Sequence, residues 1–287
     1  MLNITGHTGL YGLLGSPVSH SISPMMHNEA FNILELDDVY LCFDVGVSQL
    51  EEAVRGLITA GIKGFNCTMP DKNLMFELCD EVSPAAKLVG AVNTVVNSNG
   101  SLIGHMTDGV GYMEAANDAG FNLIGKTMTL LGAGGAASAI CAQAALDGVN
   151  KINVFSIKDQ FFDRAAALVD NINKTTKCKV TLYDLANEEA LKNSILESDI
   201  LTNATSVGMA PNTDNCIIKD PSLLRKDLIV SDIIYNPRET TLIKMAKEIG
   251  APTFNGLYML LYQGAEAFKI WTGKEMPVKE IKSKYFS

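Results

Sequence analysis

Short stretches in which apolar and polar residues alternate recur along the chain, separated by longer ones with apolar positions three or four apart. In the first third, Leu10–Leu14 and Val39–Val45 read as strands; Leu41, Phe43 and Val45 alternate with Tyr40, Cys42 and Asp44. Between them Ser23-Pro24 supplies an N-cap and a first-turn proline, predicting a helix through about Leu34. A second helix follows Ser48 and ends at Gly61, with Leu50, Val54, Leu57 and Ile58 on one face. Strands near Ile62–Cys67, Ala91–Val96 and Leu102–His105 complete an α/β region of about one hundred residues, an ordinary domain size.

The middle of the chain is more regular. Strands are predicted at Thr127–Leu131, Lys151–Phe155, Lys179–Leu182, Ile200–Asn203 and Leu228–Ser231, with helices such as Gln160–Asn173 and Thr240–Ile249 between them. Strands alternating with helices of this length imply crossover connections and a parallel sheet. Gly256 to about Thr272, stopped by Gly273, reads as a helix of mixed polarity. No repeat, low-complexity tract, charge run or obvious linker interrupts this, so two domains sharing helices at their junction are expected.

At 287 residues the chain can build two modest cores. A net charge of −9 argues against nucleic acid or an anionic membrane as partner, since both require basic patches. The six cysteines show no C-x-x-C spacing and read as reduced thiols, and the four histidines lack metal-ligand spacing, so no metal is expected. Met1-Leu2-Asn3-Ile4-Thr5 has no basic region leading into an apolar run, so no secretory leader is expected. Met128 to Leu146 approaches membrane-spanning length, but its three glycines and Gln143 suit a buried strand, turn and helix better. The expectation is a soluble, cytoplasmic protein.

Candidate chemistry sits at the ends of the predicted strands. Gly132-x-Gly134-x-x-Ala137 follows Thr127–Leu131 directly. Its first glycine permits a tight turn, its second admits a pyrophosphate, and its small third residue lets helix and sheet pack closely. Asp159 lies 27 positions past Gly132 and could accept hydrogen bonds from an adenosine ribose, or cap the Gln160 helix. Lys158 beside it could instead neutralise a 2′-phosphate. Lys72 falls in the predicted first turn of a helix, where the positive end of the helix dipole favours a neutral amine suited to acid/base work. It is otherwise a surface lysine. Asp108 reads either as a functional carboxylate or as a helix cap. Ser21, Ser23, Asn66, Thr68 and Asn93 are polar groups at strand or helix ends, where open α/β sheets bind ligands, and Gln263 lies on a helical stripe with Met259 and Ala267.

Taken in order, Ser21-x-Ser23-Pro24, Asn66-Cys67-Thr68-x-Pro70-x-Lys72, Gly90-Ala91-Val92-Asn93-Thr94, Thr107-Asp108-Gly109, Gly132-Ala133-Gly134-Gly135, Asn203-Ala204-Thr205-Ser206-Val207-Gly208 and Gln263-Gly264-Ala265-Glu266 resemble the shikimate dehydrogenase family over essentially the whole chain. Lys158-Asp159-Gln160-Phe161-Phe162, Tyr235-Asn236-Pro237 and Trp271-Thr272-Gly273-Lys274 look most like its quinate/shikimate dehydrogenase branch.

The resemblance implies an α/β fold with a substrate domain over 1–108, completed by helices in 256–287, and a Rossmann-like NAD(P)-binding domain over 109–255. It implies an enzyme that moves a hydride between a nicotinamide cofactor and C3 of shikimate or quinate, in a cleft between the domains. Ser21 and Ser23 would hold the substrate carboxylate, Thr68, Asn93, Asp108, Tyr235 and Gln263 the rest of the ring, and Lys72 with Asp108 would form the catalytic pair. Gly132, Ala133, Gly134, Gly135, Ala136, Ser156, Ile157, Lys158, Asp159, Asn203, Thr205, Ser206, Ile233, Ile234, Tyr235, Asn236 and Gly256 would line the cofactor. Ser156-Ile157 replaces the first two residues of the Asn-Arg tract found in NADP-using members, removing a bidentate phosphate clamp, so NAD is the expected cofactor with NADP possible. A homodimer is possible. The rival readings are a ligand-sensing homologue without catalysis, against which the Lys72–Asp108 pair speaks, and a dehydrogenase for another small substrate.

Overall fold

The computed structural model describes residues 4–286. The first three residues, which entered the leader reading, lie outside the described residues. The chain forms two compact units, Met1–Thr107 with Leu261–Ser287, and Asp108–Leu260.

In chain order the first unit contains β1 (Gly9–Gly15), α1 (Ser23–Ile33), β2 (Asp38–Asp44), α2 (Leu50–Thr59), β3 (Gly64–Cys67), α3 (Lys72–Leu78), β4 (Glu81–Val82), α4 (Pro84–Val89), β5 (Thr94–Ser98) and β6 (Ser101–His105). The strands form one mixed sheet in the order β2-β1-β3-β5-β6-β4. β1, β2 and β3 run parallel, while β5 runs antiparallel to both β3 and β6. Although Tyr40 is buried and Leu41 exposed, the reverse of the expected alternation, β2 itself forms where a strand is expected. The cap of α1 also differs from expectation: Ile22 occupies the N-cap position and Ser23 is the first helical residue. The Ser23 N–H instead donates to Ser21 Oγ at 3.2 Å. β4 and α4 lie outside the sequence expectations. Ser83 caps α4 by accepting the Ala86 N–H at 3.3 Å, Pro84 opens it, and Gly90 closes it at φ +66°.

The second unit contains α5 (Asp108–Asp118), β7 (Thr127–Leu131), α6 (Gly135–Asp147), β8 (Lys151–Ser156), α7 (Phe162–Thr175), β9 (Lys179–Asp184), α8 (Glu188–Glu197), β10 (Ile200–Asn203), β11 (Ile229–Asp232), α9 (Thr241–Glu248) and β12 (Thr253–Asn255). Its sheet is parallel throughout, as the alternation of strands and helices predicts, in the order β12-β11-β10-β7-β8-β9. The chain winds outward from β7 through β8 to β9, then returns to β10 and winds the other way. This reversal beside β7 makes the carboxyl ends of β7 and β10 the place where such sheets bind ligands. Leu131, Phe155, Leu201 and Val230 bury one face against Ile195 and Leu242. Burying each such side chain contributes about 1.5–3 kcal/mol. α10 (Leu257–Thr272) contains the boundary between the units, and α11 (Val278–Tyr285) completes the first.

Candidate active site

Sheet direction gathers four segments of the first unit at one edge. β1 and β3 both end there, β6 ends beside them, and the antiparallel β5 begins there, with Asn66 paired to Thr94 and Thr94 paired to His105. Continuing from those ends, the chain places Ser21 and Ser23 after β1, Thr68 after β3, Asn93 before β5 and Thr107 after β6. Approach is close: a Cβ on Gly15 would lie 2.3 Å from the Thr68 methyl group. Ser21, Thr68 and Lys72 are half-buried, while Ser23 and Asn93 are buried.

Lys72 opens α3, as the sequence predicts, and its carbonyl accepts the Val92 N–H at 2.9 Å, tying the helix start to the segment that carries Asn93. Asp71, just before it, is fully buried and neither carboxylate oxygen has a hydrogen-bond partner among the described residues. Burial raises this carboxyl above its ordinary value. Nothing in the sequence distinguishes this aspartate from an exposed helix cap. Gln263 is half-buried on α10, and its neighbour Gly264 is pressed onto α1, since an added Cβ would lie 2.1 Å from Met26 Cε. Trp271 packs into the first unit: its indole donates to the Val95 carbonyl at 2.9 Å and lies against Gly64.

Beneath that edge runs a buried chain of hydrogen bonds. Tyr40 donates to Asn66 Oδ1 at 2.8 Å, and Asn66 Nδ2 donates to Thr94 Oγ1 at 2.9 Å and to the Asn93 carbonyl at 3.1 Å. Thr94 Oγ1 donates in turn to Asn93 Oδ1 at 3.1 Å, which also accepts the Thr107 N–H at 2.8 Å.

In the second unit the glycine turn has the form expected of a dinucleotide site. Gly132 follows β7 at φ +106°, a conformation suited to glycine, and a Cβ there would lie 2.9 Å from the Ala204 carbonyl oxygen. The β7 turn is therefore pressed directly against the segment after β10. Around Gly134 and Gly135 an added Cβ would meet nothing within 4 Å, so the first-turn N–H groups of α6 stand open to an anion. Ala133 and Ala136 are half-buried, and Ala137 is buried beneath the turn. These residues fit a dinucleotide diphosphate.

The other predicted cofactor residues differ in exposure. Ser156 is half-buried at the end of β8; Ile157, Lys158 and Asp159 are exposed beyond it. Asp159 is not the helix cap. Its carboxylate accepts the Phe161 N–H at 2.9 Å and its carbonyl the Phe162 N–H at 3.1 Å, a turn that delays α7 to Phe162. Ser206, Tyr235 and Asn236 are exposed, and Ile233 and Thr205 half-buried. Asn203 and Ile234 are buried. The Asn203 amide donates to both oxygens of Asp232 at 3.1 Å, and its oxygen accepts from Thr205 Oγ1 at 2.7 Å. Asp232, which the motif reading omits, also accepts from the Ile234 N–H and from Thr240 Oγ1, joining the segments after β10 and β11. Burial raises its carboxyl, and these donors oppose the shift. Gly256 is buried with room for no side chain, since an added Cβ would lie 1.7 Å from the Ile233 carbonyl oxygen.

Asp108 opens α5 rather than standing outside it. Gly109 follows, and a Cβ on it would lie 2.3 Å from the Ala139 carbonyl oxygen on α6. Tyr112 on the same helix bonds Thr202 and Ser231 hydroxyls at 2.6 and 3.0 Å, pinning α5 to the sheet. No group of three or more His, Cys, Asp or Glu among the described residues could hold a metal, and no helix there is long and apolar enough to cross a membrane.

Comparison with known proteins places these features. Residues 13–95 match the family model for the shikimate dehydrogenase substrate binding domain, and residues 256–283 the one for the shikimate 5'-dehydrogenase C-terminal domain. A shikimate dehydrogenase (NADP(+)) of Listeria monocytogenes is 53% identical over 99% of this chain and 97% of its own length. The crystal structure of shikimate 5-dehydrogenase from Listeria monocytogenes, in complex with shikimate and NAD, superposes with a TM-score of 0.96 at 52% identity, covering 99% of this chain and 98% of that one. Quinate dehydrogenase from Corynebacterium glutamicum, in complex with NAD, superposes with a TM-score of 0.87 at 31% identity, covering 97% and 99%. With identity this high over the full length, the chain belongs to the shikimate dehydrogenase family of oxidoreductases.

Proposed function

We propose that the protein catalyses reversible hydride transfer at C3 of shikimate and 3-dehydroshikimate, and that it also accepts quinate and 3-dehydroquinate. The observation that carries this is the convergence of Ser21, Ser23, Thr68 and Asn93 at one edge of the first sheet, with Lys72 opening the adjacent helix. On this reading Met1–Thr107 with Leu261–Ser287 is the substrate domain and Asp108–Leu260 the cofactor domain.

Ser21 and Ser23 flank the start of α1, whose N-terminal dipole favours an anion, and take the substrate carboxylate. Thr68, Asn93, Asp108, Tyr235 and Gln263 hold the ring oxygens. A bound nicotinamide dinucleotide supplies the hydride acceptor or donor. Lys72 Nζ takes the C3 hydroxyl proton in the oxidising direction and returns it in the reducing one, when it also steadies the developing alkoxide. The open backbone of Gly134 and Gly135 holds the diphosphate, and the segments after β8, β10 and β11 line the remainder.

NAD is the preferred cofactor and NADP remains usable. Asp159 is exposed after β8, one of its carboxylate oxygens already holding the Phe161 N–H, and Ile157 stands where a phosphate-clamping arginine would be needed. Lys158 offers partial compensation, which limits the penalty on NADP to roughly 1–3 kcal/mol.

The test is steady-state turnover of the purified protein on shikimate and quinate with NAD and NADP, in wild type and Asp159→Ala. The expected result is turnover with shikimate, a higher kcat/KM with NAD, and loss of that preference in Asp159→Ala. Absence of turnover on both substrates would refute the reaction. A wild-type preference for NADP, or unchanged selectivity in the variant, would refute the role given to Asp159.

A further inference from the structure

Tyr40 stands at the middle of β2, fully buried, and belongs to none of the motifs that point to the site. Its phenol nevertheless reaches, through Asn66 and Thr94, a residue of the proposed substrate site. That residue is Asn93, assigned to a ring oxygen, whose side-chain oxygen accepts from Thr94 Oγ1 at 3.1 Å. The amide of Asn66 can take only one orientation here. Its nitrogen must face the Asn93 carbonyl, an obligate acceptor, at 3.1 Å, so its oxygen faces Tyr40 and needs a donor. Tyr40 is that donor. Tyr40 is itself fixed by stacking on His27, with ring centroids 4.5 Å apart, and its backbone N–H and carbonyl are held by Asn28 at 2.8 and 2.9 Å.

We propose that Tyr40 is a positioning residue of the substrate site, which orients Asn93 through Asn66 and Thr94 by one continuous buried chain of hydrogen bonds. Removing its hydroxyl leaves the oxygen of Asn66 buried without a donor, and the amide that holds both Asn93 and Thr94 loses its anchor. The cost falls on the geometry of substrate recognition, because none of these residues lies in the cofactor unit.

The inference rests on the function proposed above, and the experiment separates the two. Wild type that turns over shikimate secures the reaction; the variants then test Tyr40. Tyr40→Phe is expected to raise KM for shikimate about tenfold, the scale of one lost buried hydrogen bond, with kcat changed less and the dinucleotide KM unchanged. Thr94→Val should act in the same direction, and Thr94→Ser, which restores the hydroxyl, should recover the wild-type KM. Because Tyr40 and Thr94 act on one chain, the double variant Tyr40→Phe/Thr94→Val should cost less than the two single effects combined. An unchanged KM in Tyr40→Phe, an equal rise in shikimate and dinucleotide KM, or full additivity in the double variant would overturn the proposal. If Tyr40→Phe does not fold, the Thr94→Val and Thr94→Ser pair decides alone, and equal KM values in that pair overturn it.

Discussion

His27 shows how much a single residue in the first unit depends on its surroundings. It is completely buried between Tyr40 and Trp271, and neither ring nitrogen has a hydrogen-bond partner among the described residues. Burial pushes its pKa down to about 3. In the unfolded chain the same imidazole titrates near 6.5, so below that pH the unfolded state binds a proton that the folded state refuses. Stability contributed by the neutral ring is fully present above about pH 6.5 and falls as the pH drops toward the folded value, at up to ~1.4 kcal/mol per pH unit. Unfolding free energies of wild type and His27→Leu, measured between neutral and mildly acidic pH, should therefore diverge in slope, with the variant flatter. Parallel curves would mean that the ring is not held neutral. The sequence offered His27 only as one of four histidines without metal spacing. Its burial depends on Trp271, distant in sequence, which no local pattern announces.

At the level of elements, the close contact of α5 on α6 ties the catalytic candidate to the dinucleotide helix. Gly109 leaves no room for a side chain against the Ala139 backbone, and Asp108 precedes it. Gly109→Ala must push the helices apart, because backbone cannot yield as a flexible side chain can. The expected outcome is a destabilisation of about 1–3 kcal/mol together with reduced kcat. Thermal unfolding and turnover of the variant check both, and wild-type values in each would show that α5 moves freely. The longer elements were legible for a simple reason. Thr127–Leu131 and Ile200–Asn203 are apolar runs bounded by turn residues, and the predicted limits match the observed strands. β4, β12 and α11 are two, three and eight residues long, too short for periodicity to register. The α4 helix could have been found, since Ser83-Pro84 and Gly90 are a capping signature at both ends. The site was legible where chemistry sits in short tracts, as at Asn66–Lys72 and Gly132–Ala137. It was not legible at Tyr40, 26 positions from its partner Asn66, or at Asp232, 29 positions from Asn203, because such pairings exist only once the sheets have formed.

Across the molecule, two sheets of different design divide the work proposed for the chain. On the proposed function, the mixed sheet brings four strand ends together for an anionic polyol, and the reversal point of the parallel sheet serves the dinucleotide. Members of the same family hold shikimate with NAD in one crystal structure, and NAD in a quinate dehydrogenase. What turns binding into reaction in this account is the proton carried by Lys72. The most direct test is kcat of Lys72→Ala on shikimate at saturating dinucleotide, beside unfolding and dinucleotide-binding measurements that show the variant folded and loaded. The account predicts kcat lowered by about 10²–10⁴, the usual worth of a general acid/base, with dinucleotide affinity retained. An unchanged kcat would contradict it and leave Lys72 as a surface lysine.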